Sequence, residues 1–305
     1  QLLVILILME IEFKVTQKEH GSTVNHILKD LMNLSARQIQ RMKNNDGMFL
    51  NHQRCIVKDV VYENDVVTVI LKEHRISNEI ISSNMMLDIL FEDDYIISLD
   101  KPKGAPVHPV GKYIENTLSN GLKYYFEQKG INMVARPIGR LDRDTTGVIL
   151  FAKNSHVHTM MVKALNADDS SKKYVAVTVK APDCDEGIID MGIKRSADSI
   201  ISRITAEDGK RSLTRYKVLE RYSKGALIEF ELLTGRTHQI RVHCQAFGIP
   251  VFGDTLYGTA SALIDRQALH CRETSFIHPF SKEKISIEAP LPSDMQYLID
   301  ELKKH

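Results

Sequence analysis

The sequence predicts an α+β protein, with a central mixed, largely antiparallel sheet flanked by helices and loops and a small α+β domain ahead of it. Three observations carry that expectation. Short segments of strand pattern run along the whole chain with helices interspersed among them. A compact helix-helix-strand unit occupies the first quarter, before a polar stretch without clear period. No internal repeat, heptad run or low-complexity tract points to a solenoid, a coiled coil or disorder.

Taken in order, Leu2-Leu3-Val4-Ile5-Leu6-Ile7-Leu8 is apolar but far short of the ~20 residues a membrane span needs, and Glu10 and Glu12 follow at once. It reads as a first strand or as a start assigned upstream of Met9. Ile11, Phe13 and Val15 then alternate with Glu12, Lys14 and Thr16, the period of a half-buried strand. From Ser22, a good N-cap, Val24, Ile27, Leu28, Leu31 and Met32 fall on one face of a helix. A second helix opens at Ser35, with Gln38 at capping-box spacing, carries Arg37 and Arg41, and stops at Asn44-Asn45-Asp46-Gly47. Met48–Leu50, Cys55–Val57 and Val66–Leu71 read as short strands.

The polar segment from Ser77 to Asn84 suggests a boundary, giving a small domain at 11–75, a linker at 76–86 and a large domain at 87–303. Leu87–Phe91 and Tyr95–Leu99 form a hairpin around Glu92-Asp93-Asp94. Lys101-Pro102-Lys103-Gly104 and Pro106-Val107-His108-Pro109 follow as an ordered loop. Asn116–Gln128 is a helix, with Gly130 as its C-cap. The charged run Gly139-Arg140-Leu141-Asp142-Arg143-Asp144-Thr145-Thr146-Gly147 leads straight into the apolar strand Val148–Ala152, an arrangement that fixes polar side chains on a rigid element. Ser155–Leu165 is helical, Lys172–Val179 a strand entered through two lysines. Thr214–Val218, Ala226–Leu233 and Lys284–Glu288 are further strands, with a helix over Thr237–Phe247.

A hydrophobic content of 43% over 305 residues fills a sizeable core, and a net charge of +1 gives no global field toward nucleic acid, so any basic surface must be local. Cys55, Cys184, Cys244 and Cys271 are widely spaced, none lies in a C-x-x-C pair, and no basic-then-apolar leader precedes them. A reducing, cytoplasmic protein is expected, with no membrane association. His238, His243, His270 and His278 show neither H-E-x-x-H nor a compact Cys/His set, so no metal is expected and a metal-dependent hydrolase lacks its ligand spacing.

Two resemblances sharpen this reading. The first unit, with its L-S-x-R-x-I-Q helix before a G-x-x-x-N turn and an N-D-V-V strand, resembles the small RNA-binding domain shared by a small-subunit ribosomal protein, tyrosyl-tRNA synthetases and many RNA-modifying enzymes. Its first helix opens with Thr23-Val24-Asn25-His26 where that family usually has basic residues. The large domain is similar to the RluA-type pseudouridine synthases, which isomerise uridine in structured RNA. The similarity rests on Gly139–Gly147, on Lys173-Tyr174-Val175-Ala176 and on Leu233-Thr234-Gly235-Arg236-Thr237-His238-Gln239-Ile240-Arg241-Val242-His243. Supporting pieces are Asp100–Gly104, Val107-His108-Pro109, Pro250–Gly258, Leu269-His270 and Phe276–Pro279, all in the family's order.

The chemistry suits the residue types. Uridine isomerisation breaks the bond from ribose to ring nitrogen, turns the base and rejoins it through a ring carbon, with no redox change and no cofactor. It requires an ionised carboxylate acting on sugar or base, and nearby guanidinium charge favours that ionised form. The resemblance implies that Asp142 is catalytic, that Tyr174 stacks on the uracil and takes the ring-carbon proton, and that Arg236 pairs with Asp142. It also implies that Arg140 fills the gap left by the flipped nucleotide. Asp144 reads as a loop-capping carboxylate. Lys101, Lys103, His108, Arg143, Lys172, Lys173, Lys210, Arg211, His238 and Arg241, with Arg37 and Arg41 of the first unit, are the expected RNA contacts. The chain departs from the resemblance at Gly139, where relatives commonly have His, and at Thr146 in place of Ser. The expected substrate is ribosomal RNA ahead of transfer RNA, and the expected state a monomer. The competing reading is an RNA-binding or RNA-chaperone protein that keeps the fold without catalysis; the joint presence of Asp142, Tyr174 and Arg236 speaks against it.

Overall fold

A computed structural model of the chain describes residues 7–44, 46–73, 80–111, 113–131 and 133–304. These fall into two compact units, one running to residue 79 and including Asn154–Met160, the other formed by the remainder from Ile80 onward.

The first unit opens with β1 (Ile7–Lys14), in which Glu10, Glu12 and Lys14 are exposed and Ile11 and Phe13 half-buried, as its period requires. The next helix, α1 (Val24–His26), is capped by Thr23, whose hydroxyl accepts from the His26 N–H at 3.3 Å. Ser22, the expected cap, still belongs to the preceding turn because its N–H is taken by the Glu19 carbonyl at 3.0 Å. The helix then widens to five-residue hydrogen bonding over Ile27–Leu31. The capping box at Ser35 and Gln38 forms as read, with Ser35 N–H donating to Gln38 Oε1 at 2.8 Å, and opens α2 (Ala36–Asn44), on which Arg37 and Arg41 are exposed. β2 (Met48–Leu50) and β3 (Gln53–Arg54) are joined through Asn51 and His52, both with positive φ (51° and 66°). That two-residue turn pairs Gln53–Arg54, not the expected Cys55–Val57, with β2. β4 (Val66–Glu73) completes an antiparallel sheet of order β1-β4-β2-β3, over which Val24, Ile27, Leu28, Ile39 and Met42 form the core with Val67 and Val69. Residues 74–79 of the expected boundary lie outside the described residues. Residues 80–86 are irregular, and Ile80 and Ile81 carbonyls accept from Lys123 and Asn120.

From Asp88 the chain forms β5 (Asp88–Glu92), β6 (Ile96–Lys101), α3 (Leu118–Gln128), β7 (Arg136–Ile138), β8 (Thr146–Ala152), α4 (Ser155–Ala164) and β9 (Ser171–Thr178). It continues through β10 (Glu186–Asp190), β11 (Ile193–Arg195), β12 (Arg203–Thr205), β13 (Leu213–Tyr222), β14 (Gly225–Leu232), α5 (Gln239–Ala246), β15 (Leu269–Ile277), β16 (Lys284–Glu288) and α6 (Ser293–Lys303). One large sheet runs β10-β13-β14-β9-β15-β8-β6-β5, with β16 on β15 and β7 on β8. The pairings are antiparallel except β8 with β15, which is parallel, so the sheet is mixed and largely antiparallel as the sequence predicts. α3 covers one face through Leu118, Leu122 and Phe126 against Ile97, Leu99, Ile149 and Phe151. Its start is set by Thr117, which caps the Asn120 N–H, and Gly130 (φ +71°) ends it as read.

β15 was not expected as a strand, and it is the element that joins the two halves of the sheet. It pairs with β9 on one side and with Thr146 and Gly147 of β8 on the other. Gly147 (φ +106°) is required at that junction, because a Cβ there would stand 2.1 Å from the Cys271 carbonyl oxygen. Parallel entry of β15 therefore sets β8 and β9 one strand apart. The loop before β8 and the first turn of β9 consequently face the same cavity.

Candidate active site

The loop from Gly139 to Thr145 is held from beneath. Lys101, at the end of β6 and fully buried, donates through Nζ to the Pro102 carbonyl at 2.9 Å and to the Arg143 carbonyl 42 residues later. Burial pulls its pKa down to about 7, against the attraction of Asp144 and Asp142. Arg266, itself fixed by Asp294 at 2.8 Å, donates to the Asp144 carbonyl at 3.1 Å. Asp144 pairs with Arg143 at 2.9 Å, and Arg143 also donates to the Tyr113 hydroxyl at 2.9 Å. One acid is thus tied into the loop, and the other, Asp142, is left facing a cavity of about 550 Å³.

The wall opposite comes from α5. His238 occupies the left-handed region (φ 58°, ψ 22°) as the helix begins, and the Gln239 side chain ties the entering loop by accepting from Arg236 N–H at 2.9 Å. Inside the helix Arg241 bridges two carboxylates. Its Nη1 donates to Asp142 Oδ2 at 3.0 Å, while Nε and Nη2 grip Asp254 bidentately at 2.7 and 2.8 Å. Burial works against the charge of Arg241, but the bonds to Asp254 and Asp142 outweigh it and hold the guanidinium firmly protonated. His238 approaches the other Asp142 oxygen, Nε2 to Oδ1 3.6 Å. Its Nδ1 lies 2.8 Å from the Tyr257 hydroxyl, which already accepts from the Arg203 N–H at 2.8 Å. Where the phenol donates to Nδ1, the Nε2 proton of the neutral ring faces Asp142. Burial lowers the pKa of His238, against the pull of Asp142, which favours this neutral ring.

Tyr174 lines the same cavity from β9 and is 6% exposed. Burial, followed by its neighbour Cys271, raises the phenol pKa well above its ordinary value, so the ring enters the site as a neutral aromatic surface. Arg140 and Arg236 also line the cavity, and both are exposed.

Three expectations change. Arg236 was expected to pair with Asp142; its guanidinium instead lies on the Arg211 carbonyl at 3.4 Å, because it precedes the helix on an exposed loop, and Arg241, one turn into the helix, makes the pair. Arg241 was expected on RNA, but it is 7% exposed and saturated by carboxylates. Lys101 was expected on RNA too, and its ammonium is spent wholly inside the loop. Of the other expected contacts, Lys173 points away from the cavity and pairs with Glu273 at 3.0 Å. Lys103 pairs with Asp265 at 2.9 Å on the surface, and His108, Lys210 and Arg211 are exposed outside the cavity lining. His243 and His270 are buried and bonded to Thr214 and Thr146, each at 2.9 Å. His278 is buried 3.3 Å from Asp93. Among the described residues no three His, Cys, Asp or Glu side chains gather as a metal site. Asp254, Tyr257 and Arg266 complete the support of Asp142 and were not singled out from the sequence. Only the Pro250–Gly258 segment gave a signal for the first two.

Residues 95–246 match the family model described as RNA pseudouridylate synthase. The chain is 34% identical over 290 residues to the uncharacterized RNA pseudouridine synthase YhcT of Bacillus subtilis, covering 94% of this chain and 96% of that one. It is 32% identical over 305 residues to the ribosomal large subunit pseudouridine synthase D of Zymomonas mobilis, covering 93% and 95%. Among solved structures, human RNA pseudouridylate synthase domain containing 4 shares the fold at a TM-score of 0.58 and 22% identity, over 71% of this chain and 93% of that one.

Proposed function

The chain belongs to the RNA pseudouridylate synthase family, and on that premise we propose that Asp142 is the carboxylate that acts on a uridine turned out of its RNA into the cavity beside Tyr174. It is an isomerase of uridine in RNA. The observation that carries the assignment is the asymmetry of the two acids in the loop. Asp144 is neutralised by its neighbour Arg143, whereas Asp142 faces the cavity and is oriented by an arginine that a second, buried carboxylate holds in place.

The reaction follows from this geometry. The RNA places the target nucleotide in the cavity, with Arg140 at its exposed mouth positioned to occupy the vacated stack and offset an unstacking cost of a few kcal/mol. The uracil lies against the Tyr174 ring. Arg241 fixes one oxygen of Asp142 at 3.0 Å and His238 Nε2 stands 3.6 Å from the other, so that the carboxylate meets the nucleotide in one orientation. After the base has turned and its ring carbon has joined the sugar, Tyr174, against whose ring the uracil lies, takes the displaced proton in this reading. Its raised pKa means that the phenol must pass its own proton on as it does so.

The substrate in this reading is ribosomal RNA, supported by relatives named as ribosomal large subunit pseudouridine synthase D. Residues 11–75 act as an RNA-binding domain through the exposed Arg37 and Arg41, residues 76–86 as a linker, and residues 87–303 as the catalytic domain. The protein works as a cytoplasmic monomer, and no helix among the described residues is long and apolar enough to cross a membrane. The test is Asp142→Asn: isomerisation falls below detection while RNA affinity stays within about threefold. Pseudouridine formed by Asp142→Asn at the wild-type rate would remove Asp142 from the chemistry. Mapping pseudouridine in cellular RNA with and without the protein names the site; a lost site outside ribosomal RNA would overturn the substrate assignment.

A further inference from the structure

Lys172 lies two residues before Tyr174 on β9, so both side chains leave the same face of the strand, and both line the cavity that contains Asp142. Lys173, between them, leaves the opposite face and is paired with Glu273. Lys172 makes no hydrogen bond or ion pair among the described residues. Its ammonium spans the gap between β9 and the aspartate loop: a Cβ built on Gly139 would stand 3.4 Å from Lys172 Nζ. Gly139 has φ +85°, a conformation natural to glycine, and its missing side chain leaves room at that point of the wall. A lysine Nζ with no hydrogen bond or ion pair among the described residues, and with Cys271 as its electrostatic neighbour, thus stands in the cavity between the aromatic ring that receives the base and the loop that carries the reacting carboxylate. Burial disfavours its charge, so it gains more than a solvated lysine would from an anionic oxygen brought beside it.

We infer that Lys172 is a further catalytic residue, whose ammonium donates a hydrogen bond to a uracil carbonyl oxygen as negative charge builds on the ring. The inference rests on the functional reading above but not on the path Asp142 follows. When the bond from C1′ to N1 breaks, its electron pair stays on the base and spreads to O2 and O4. The sugar carbon then bonds to the carboxylate, or gains a double bond to C2′ after that carboxylate takes the C2′ proton. If the carboxylate adds to the ring instead, the displaced pair also ends on a ring oxygen. C5 then bonds to C1′ as the carboxylate leaves the sugar or the ring, or returns its proton to C2′, and loss of the C5 proton with gain of one at N1 restores the uracil ring. Every route places transient negative charge on a uracil oxygen, and a fixed donor held beside that oxygen acts on the transition state more than on the ground state. A backbone phosphate offers the same chemistry to a lysine. The exposed Arg140 and Arg236 at the mouth suit a phosphate that keeps its water, whereas Lys172 stands on the wall with Tyr174.

The experiment compares wild type, Lys172→Met, Lys172→Arg and Asp142→Asn on the RNA that the wild type modifies, reading single-turnover rate at saturating protein and RNA affinity across a salt series. Lys172→Met is expected to lower the rate on the order of 10²-fold, as for loss of one oxyanion donor, with affinity and salt dependence within about twofold of wild type. Lys172→Arg, which keeps the charge, is expected to recover at least about tenfold of that loss. An unchanged rate for Lys172→Met refutes the inference. So does a loss of affinity with a smaller salt slope and an unchanged saturated rate, which assigns Lys172 to a phosphate. Should melting curves show Lys172→Met unfolded, Lys172→Gln replaces it, and equal rates for Lys172→Gln and Lys172→Arg refute it equally. A wild type that forms no pseudouridine overturns the functional reading and this inference with it, whereas an Asp142→Asn variant as fast as wild type overturns the assignment of Asp142 alone.

Discussion

Replacing Arg241 by Met removes the cation that two carboxylates share. Its side chain is 9% exposed, that of Asp254 0% and that of Asp142 15%, so solvent compensates little. Three charge-assisted hydrogen bonds disappear, two to Asp254 and one to Asp142. Such bonds contribute roughly 1.5–3 kcal/mol each, but they are not additive, and removing one partner of a buried pair typically costs about 3–5 kcal/mol because the other charge is stranded. We therefore expect Arg241→Met to lose about 3–5 kcal/mol. Most of that loss arises at Asp254, which among the described residues retains only the Leu256 and Tyr257 N–H donors at 3.0 and 3.1 Å. The double variant Arg241→Met, Asp254→Asn no longer strands that charge and should regain about half of the loss. Activity should stay low in both, because Asp142 has lost the group that orients it. The chain contains no tryptophan, so urea denaturation followed by far-ultraviolet circular dichroism is the suitable stability assay, alongside single-turnover isomerisation. A loss below about 1 kcal/mol for Arg241→Met, or a double variant no more stable than the single one, would falsify the bridge as the source of order at Asp142.

Lys101 makes a pH-dependent contribution. Its pKa is about 7 in the folded chain against an ordinary 10.5, so between those values the unfolded chain binds a proton that the folded chain does not. Stability from this group therefore rises as pH rises through that window, by at most about 5 kcal/mol. The difference in stability between wild type and Lys101→Met, followed from pH 6 to pH 10, should carry that slope, and a flat difference would show that the ammonium is not paying a burial penalty. Tyr174→Phe keeps the ring and loses the hydroxyl; nucleotide binding should persist while product release of the ring-carbon proton slows, measured as tritium loss from 5-tritiated uridine, and unchanged turnover removes the phenol as base. Gly147→Ala should yield insoluble protein or lose more than about 3 kcal/mol, since its Cβ would meet the Cys271 carbonyl at 2.1 Å; a soluble, active variant contradicts the described junction.

Much of the fold was legible because strand period and helix caps are local. The capping box at Ser35, the hairpin of β5 and β6, and the strand after Gly147 need only neighbouring residues to specify them. β15 escaped because Arg272, Glu273, Thr274 and Ser275 interrupt its apolar run, and the partners that accommodate them belong to β9 and β16. The candidate site shows the same division. Asp142 and Tyr174 stand in compact segments and both line the cavity. Which arginine of the third segment meets the carboxylate depends on where α5 begins, and the left-handed turn at His238 puts Arg241, not Arg236, on the inward side. Lys101 was legible as a charge but not as a buried one, since its acceptor at Arg143 lies far along the chain.

The position of β15 has a consequence in time. The strand that seats the aspartate loop and the strand that carries the tyrosine are made early, yet they meet through a segment ending at Ile277. A chain growing from its N-terminus can form the sheet of its first unit well before then, because β1 to β4 all lie within Ile7–Glu73. The two walls of the cavity are joined only once the chain has grown through β15. A growing chain whose first unit has already folded therefore has no assembled cavity until β15 has been made.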